Sequence, residues 1–202
     1  METVQRRRGR GGRERVLAAA TTLFETQGIT ATGMEQVAAA APVSKRTLYA
    51  HFPTKDDLVV SYLRHLVESG RTMEGVLDRE DLSPRERLLA LFTVPHDGVR
   101  PIRGCPFVDA AAEFPDPLSP VHEYAAEQKR RLASRLTELA SALGVAEPHV
   151  LGEQLAVLAD GTASRSMVLN DTNCGRYARA AAEALINAAT PPSHMADSSG
   201  GA

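Results

Sequence analysis

The sequence predicts an all-α protein, on three observations. Alanine-rich runs such as 38–41 and 180–182 favour helix over strand. Aromatic residues, which are enriched in strands, make up only 4% of the 202 residues, and Trp is missing altogether. Apolar residues also recur at three- and four-residue spacing between clear start and stop signals. A chain of this length buries a substantial core, as one domain or two small ones.

From Arg13 to Gln27, the apolar positions Val16, Leu17, Ala20, Leu23 and Phe24 predict a first helix, with Gly28 as the residue beyond its C-terminus. Thr32-Gly33-Met34-Glu35 reads as a capping box, so a second helix runs to about Ala40 and buries Met34, Val37, Ala38 and Ala41. Pro42 biases Ala41 away from the α region, and Ser44 restarts a helix after a short turn. Two short helices so joined form a helix-turn-helix. Leu48 and Phe52 face inward, as does Val43, which leaves Lys45, Arg46, Thr47, Tyr49 and Ala50 mostly outward. Thr54 caps a fourth helix with Asp57 at its third position, continuing through Leu58, Tyr62 and Leu66 to an end blurred by Gly70 and Gly75. Pro at the first helical position of Ser83-Pro84, Cys105-Pro106, Ser119-Pro120 and Glu147-Pro148 starts later helices near 84–93, 106–113, 120–143 and 148–170. A last one spans 172–189. About nine helices result, without internal repeats.

Charge is unevenly distributed along this frame. The formal net charge is -2, yet residues 1–55 hold nine Lys and Arg against four acids, and the remainder fourteen against twenty-one. A basic front with an acidic rear points to a polyanion partner at one end. Lys45, Arg46 and Lys55 lie in first helical turns, where the macrodipole costs each cation a few tenths to about 1 kcal/mol unless an anion faces it. DNA phosphate supplies that anion, and the first turn of the second helix of a helix-turn-helix is the part that reaches base edges. Lys45 and Arg46 sit there. Tyr49 either donates to phosphate from the same surface or packs in the core. Thr47 serves a base methyl, a phosphate or the helix start; His51 serves the DNA face or only the helix end.

Gly28 to Leu58, with Thr32, Val37-Ala38, Val43-Ser44-Lys45, Thr47-Leu48-Tyr49, His51-Phe52 and Lys55-Asp56, resembles the DNA-binding domain of the TetR family of bacterial repressors. The match is dense over the N-terminal quarter; the rest resembles the family only in helix number and lengths. The resemblance implies a homodimeric repressor that binds a palindromic operator in double-stranded DNA and is released by a small-molecule effector in its larger C-terminal domain. By position it gives Ser44, Lys45, Arg46 and Thr47 to the recognition helix, Tyr49 and His51 to backbone contacts, and Lys55 and Thr32 to phosphates. Pro42 stands where the family most often has Gly, and Gly33 where a second Thr or Ser is common. The expected organisation is a flexible basic arm (1–12), a helix-turn-helix domain (13–56), a helical effector-binding and dimerisation domain (57–190) and a disordered tail (191–202). The arm Arg6–Arg10 either follows the minor groove or is a nonspecific electrostatic tail.

In the family the last two long helices pair across a two-fold axis, which assigns Ala156, Ala159, Ala163, Ala182, Leu185 and Ile186 to the dimer interface. Phe92, Phe107, Phe114 and Tyr124 cluster around the middle loops and, with Cys105, form the candidate effector pocket. Cys105 before Pro106 also offers a redox sensor as an alternative. An enzyme using Cys105 as nucleophile and His96 or His122 as base is a further class, but no catalytic residue is assigned: there is no Gly-rich phosphate loop and no GxSxG. Asp109, Glu113, His122 and Glu123 match no metal-ligand spacing, so neither metal nor cofactor is expected. A nonspecific architectural DNA protein would lack so acidic a rear. Two cysteines without CxxC, no signal-peptide core and no membrane-length apolar run make a cytoplasmic protein the expectation.

Overall fold

Helical capping and apolar spacing are realised as nine α-helices among the described residues of the computed structural model: α1 (Thr3–Gln27), α2 (Met34–Ala40), α3 (Lys45–His51), α4 (Lys55–Glu68), α5 (Pro84–Ala90), α6 (Pro106–Glu113), α7 (Pro120–Ala142), α8 (Pro148–Leu169) and α9 (Asn173–Ala189). A 3-10 turn occupies Met73–Asp78. The structure describes residues 3–190 other than 95, 97 and 100, with side chains from residue 11 onward. The expected tail 191–202 and the side chains of Arg6–Arg10 lie outside the described residues. α1 starts at Thr3, well ahead of the Arg13 start read from apolar spacing. Apolar periodicity marks only the part of a helix that faces a core, whereas the backbone ladder carries α1 beyond it.

The chain folds as two compact units. One is Met1–Thr72 with Pro106–Gln128, the other Met73–Cys105 with Lys129–Ala202. This differs from a division at residue 56, because α4, α6 and the start of α7 group with the helix-turn-helix. The core of the first unit gathers Val16, Ala20 and Phe24 of α1, Val37 of α2, Leu48 of α3, Phe52, and Leu58, Tyr62 and Leu63 of α4, all buried. Phe24 and Tyr62 meet edge to face with centroids 5.2 Å apart, a geometry aromatic quadrupoles prefer. The second unit buries Leu77, Leu88, Leu91, Phe92, Leu132, Leu136, Leu151, Leu155, Ala159, Ala182 and Ile186 together.

Most helix boundaries follow local chemistry. Thr54 with Asp57 and Ser83 with Glu86 form reciprocal capping boxes before α4 and α5. Asn170 ends α8 in the left-handed conformation with φ 49°. The box read at Thr32 is not formed. Gly33 is the N-cap of α2 without a side-chain bond, while Thr32 is buried and its hydroxyl donates to Gly28 O at 2.8 Å.

Candidate nucleic-acid interface

Ser44 opens α3 by accepting the Thr47 N–H on its Oγ at 3.1 Å, and its hydroxyl also meets Thr47 Oγ1 at 2.8 Å. Such a cap typically contributes about 1 kcal/mol to a helix that is otherwise only two turns long. Leu48 and Phe52 anchor the inner face of α3 in the core. Arg13 of α1 lies over the Phe52 ring, 5.3 Å from its centroid, and holds the far end of the helix. The residues left outside are Lys45, Arg46, Tyr49 and Ala50, as their spacing predicts.

Their electrostatic states differ. Lys45 pairs with Glu35 of α2. The hydrogen bond and charge of Lys45 hold the Glu35 carboxyl below the usual range, and Glu35 raises the Lys45 ammonium in return. Both side chains are mostly exposed, so a phosphate can replace Glu35 at small cost. Arg46 is exposed and has no ion-pair partner among the described residues. Tyr49 is 46% exposed, which answers the choice between surface and core in favour of surface. Thr47 is half-buried and serves the cap. His51 is half-buried beside Gly12, where an added Cβ would lie 3.3 Å from His51 Nε2.

Two expected phosphate contacts are otherwise engaged. Thr32 is 1% exposed with its hydroxyl spent on Gly28 O, so its side chain does not offer a surface contact. The sequence pattern missed this because a TxxE match says nothing of which way the hydroxyl points. Lys55 donates to Thr30 O at 3.1 Å, binding the α1–α2 loop with one of its three protons. The same loop is gripped by Glu113 of α6, which accepts the N–H groups of Ile29, at 3.2 Å, and Thr30. Glu113 was foreseen only as a poor metal ligand, and no local signal marks a partner 84 residues away.

The residues expected to line an effector pocket fall in different units. Phe92 and Cys105 are buried in the second. In the first, Phe107 is buried, Phe114 O bonds His122 Nδ1 at 2.8 Å, and Tyr124 carries the Arg64 guanidinium 5.8 Å from its ring centroid. Burial pushes the Tyr124 hydroxyl up, against the pull of Arg64. Cys105 is 8% exposed, a position that favours neither the redox sensor nor the nucleophile, both of which need access. Of the expected dimer residues, Ala159, Ala163, Ala182 and Ile186 are buried, and Ala156 and Leu185 pack half-buried against the same core. They are spent inside one chain because α8 and α9 pack on each other through those faces.

No helix among the described residues is long and apolar enough to cross a membrane, and no group of three or more His, Cys, Asp or Glu is placed to hold a metal.

Comparison with known proteins agrees with the geometry. Residues 16–62 match the model of bacterial regulatory proteins of the tetR family. The HTH-type transcriptional regulator YjdC of Escherichia coli K12 is 31% identical over 159 residues, covering 77% of this chain and 83% of that protein. A TetR transcriptional regulator structure from Streptomyces avermitilis superposes with a TM-score of 0.78 at 30% identity, covering 88% of this chain and 97% of that one. SCO4454, a TetR-family regulator from Streptomyces coelicolor, gives a TM-score of 0.78 at 29% identity over 90% and 97% of the two chains. An outward basic first turn on a capped second helix is therefore found in a chain alike to these regulators along most of its length: it belongs to the TetR family of DNA-binding transcriptional regulators.

Proposed function

We propose that the protein is a homodimeric repressor that reads a palindromic operator through α3 and is released by a small-molecule effector. The observation that carries the DNA-reading part is the outer face of α3, where Arg46 stands exposed beside Lys45 and Tyr49 on a helix fixed by Ser44, Leu48, Phe52 and Arg13. Arg46 suits bidentate recognition of a guanine edge, whereas Lys45 and Tyr49 suit phosphate. A seven-residue helix covers few base pairs, so a second copy is needed for a site of useful rarity.

The dimer reading rests on the outward faces of the last two helices. Val150, Val157 and Val168 of α8 and Tyr177 of α9 are exposed, with Val157 at 71% and Val168 at 75%. Ala181, Ala184 and Ala188 continue the α9 stripe at helical spacing and are exposed as well. An apolar face of this extent needs a partner, and a two-fold copy of itself satisfies it with the same surface on both sides. These outer residues replace the buried alanines as the proposed interface.

The test is selection from a random duplex library with the full-length protein, followed by sequencing of the retained DNA. Enrichment of one palindrome is expected. Retention without enrichment, vanishing as salt rises, would reduce the front of the molecule to a nonspecific electrostatic surface.

A further inference from the structure

We propose that Glu113 is a positioning residue for DNA recognition: from α6 it clamps the loop that launches α2, and thereby sets the pose of the two reading helices. The inference rests on the DNA-binding reading above and extends it to a residue outside the helix-turn-helix.

The hydrogen bonds of the α1–α2 loop show why Glu113 matters. Gly28, at φ 94°, closes α1 with its N–H on Phe24 O at 3.0 Å. Its own carbonyl accepts the Thr32 hydroxyl, and Ile29 O accepts the Thr32 N–H at 3.2 Å. Thr30 O accepts Lys55 Nζ. The N–H groups of Ile29 and Thr30 find no acceptor within the loop. Glu113 takes both, one on each carboxylate oxygen. Ile29 is buried, so without Glu113 its N–H would be left unmet, a state native proteins rarely tolerate. The loop is thus held between an acid on α6 and a base on α4.

The clamp is itself braced. The carbonyl of Phe114, the next residue, bonds His122 Nδ1 of α7, so the end of α6 does not swing freely. Beyond the loop, Gly33 leads into α2, whose Ala38 O accepts the Val43 N–H of the turn before α3 at 3.3 Å. A shift of the loop is therefore passed to the base-reading turn, where small displacements forfeit hydrogen bonds that specify sequence.

Charge and position predict opposite outcomes when Glu113 is changed. An acid in the DNA-reading unit repels a polyanion, so if Glu113 acted only through its charge, Glu113→Gln would tighten binding to every DNA. If it positions the loop, the same change loosens the operator complex, because an amide offers one acceptor oxygen where two N–H groups wait. Glu113→Asp keeps the charge and withdraws it by one methylene, which isolates geometry.

The experiment measures the affinity of wild type and both variants for the selected palindrome and for a random duplex of equal length, across a salt series, with hydrogen exchange of the Ile29 and Thr30 amides followed in parallel. For Glu113→Gln the expected result is about tenfold weaker operator binding, the scale of one charge-assisted hydrogen bond. Random DNA should be bound as well as before or better, the salt slope on the operator should be unchanged, and both amides should exchange faster. Glu113→Asp should lower the operator-to-random ratio in the same direction, and serves alone if the Gln variant loses its helical circular dichroism. An unchanged ratio in a folded variant whose amides exchange faster overturns the proposal, since the clamp would then be purely structural. Unchanged exchange overturns it too, since there would be no clamp. A wild type that selects no palindrome overturns the functional reading instead, and the amide exchange still decides whether the clamp exists.

Discussion

At the scale of single residues, the outer face of α3 separates reading from holding. Arg46 is exposed and has no ion-pair partner among the described residues, so its guanidinium is available to base edges, while Tyr49 presents a hydroxyl suited to a phosphate. Arg46→Ala is expected to change base preference at one position of each half-site, at about 1–3 kcal/mol of discrimination. Tyr49→Phe should weaken operator variants by similar factors. Binding measured over a panel of single-base operator variants tells these apart, and a uniform loss for Arg46→Ala would remove its reading role. The outwardness of Arg46 was legible, because Leu48 and Phe52 fix which side of the helix is inside, whereas a ring as apolar as that of Tyr49 left surface and core both open. The Glu35 partner of Lys45 was not legible, since it depends on how α2 and α3 cross.

Two glutamates show how environment reverses the sign of a pH effect. Burial raises the Glu74 carboxyl; Lys129, Arg135 and Arg131 pull it back, and Asp160 adds to the rise, which prevails. Its folded pKa exceeds its unfolded one, so stability is greatest below the ordinary Glu range and is lost as pH rises through the window up to the folded value. Glu74→Gln is therefore expected to raise Tm at neutral pH by about 2–4 °C, an advantage that should disappear in acid. An equal gain at both pH values would mean that packing, not ionisation, is responsible. For Glu113 burial also raises the pKa, but the Thr30 side chain, the Thr30 and Ile29 N–H groups and Lys55 together outweigh it, so the net shift is down. Its contribution is present above the ordinary Glu range and is lost only as pH falls through the lower folded value.

At the scale of elements, caps were readable where the capping residue and its target lie within one turn. Thr54 and Asp57, or Ser83 and Glu86, need nothing beyond their own four residues. Thr32 fails the same test because a carbonyl at Gly28 captures its hydroxyl first. Close helix contacts are less visible still. Gly152 of α8 is buried so near α7 that an added Cβ would lie 2.3 Å from Thr137 Oγ1 and 2.8 Å from Thr137 N. The backbone atom cannot turn aside, and the hydroxyl is already donated to Ala133 O at 2.9 Å. Gly152→Ala would gain up to about 1 kcal/mol of helix propensity. It is nevertheless expected to destabilise the protein by about 1–3 kcal/mol from overpacking, as a lower midpoint in urea. A variant as stable as wild type would mean that α7 and α8 separate more readily than this contact implies.

At the scale of the whole molecule, the proposed dimer puts its two-fold contact on the last two helices. α8 carries apolar residues on several sides, so composition does not say which of them turn inward, and the sequence reading gave Ala159, Ala163 and Ala182 to the dimer seam. Packing resolves it. α8 spends Leu151, Leu155 and Ala159 on its own core, and Val157 and Val168 are what remains outside. Val157→Glu should leave the monomer fold intact, because the side chain touches mostly solvent, yet in the proposed dimer it places two like charges near the two-fold axis and removes apolar area from the seam. The expected outcome is a monomer in sedimentation equilibrium at micromolar concentration with unchanged far-ultraviolet circular dichroism. Operator binding should fall by about two orders of magnitude or more, because the second half-site loses its effective concentration. Binding to an isolated half-site should hardly change. A variant that stays dimeric and binds the full operator normally would place the two-fold contact on another surface, and a variant that unfolds would show that Val157 is not the solvent-facing residue its 71% exposure indicates.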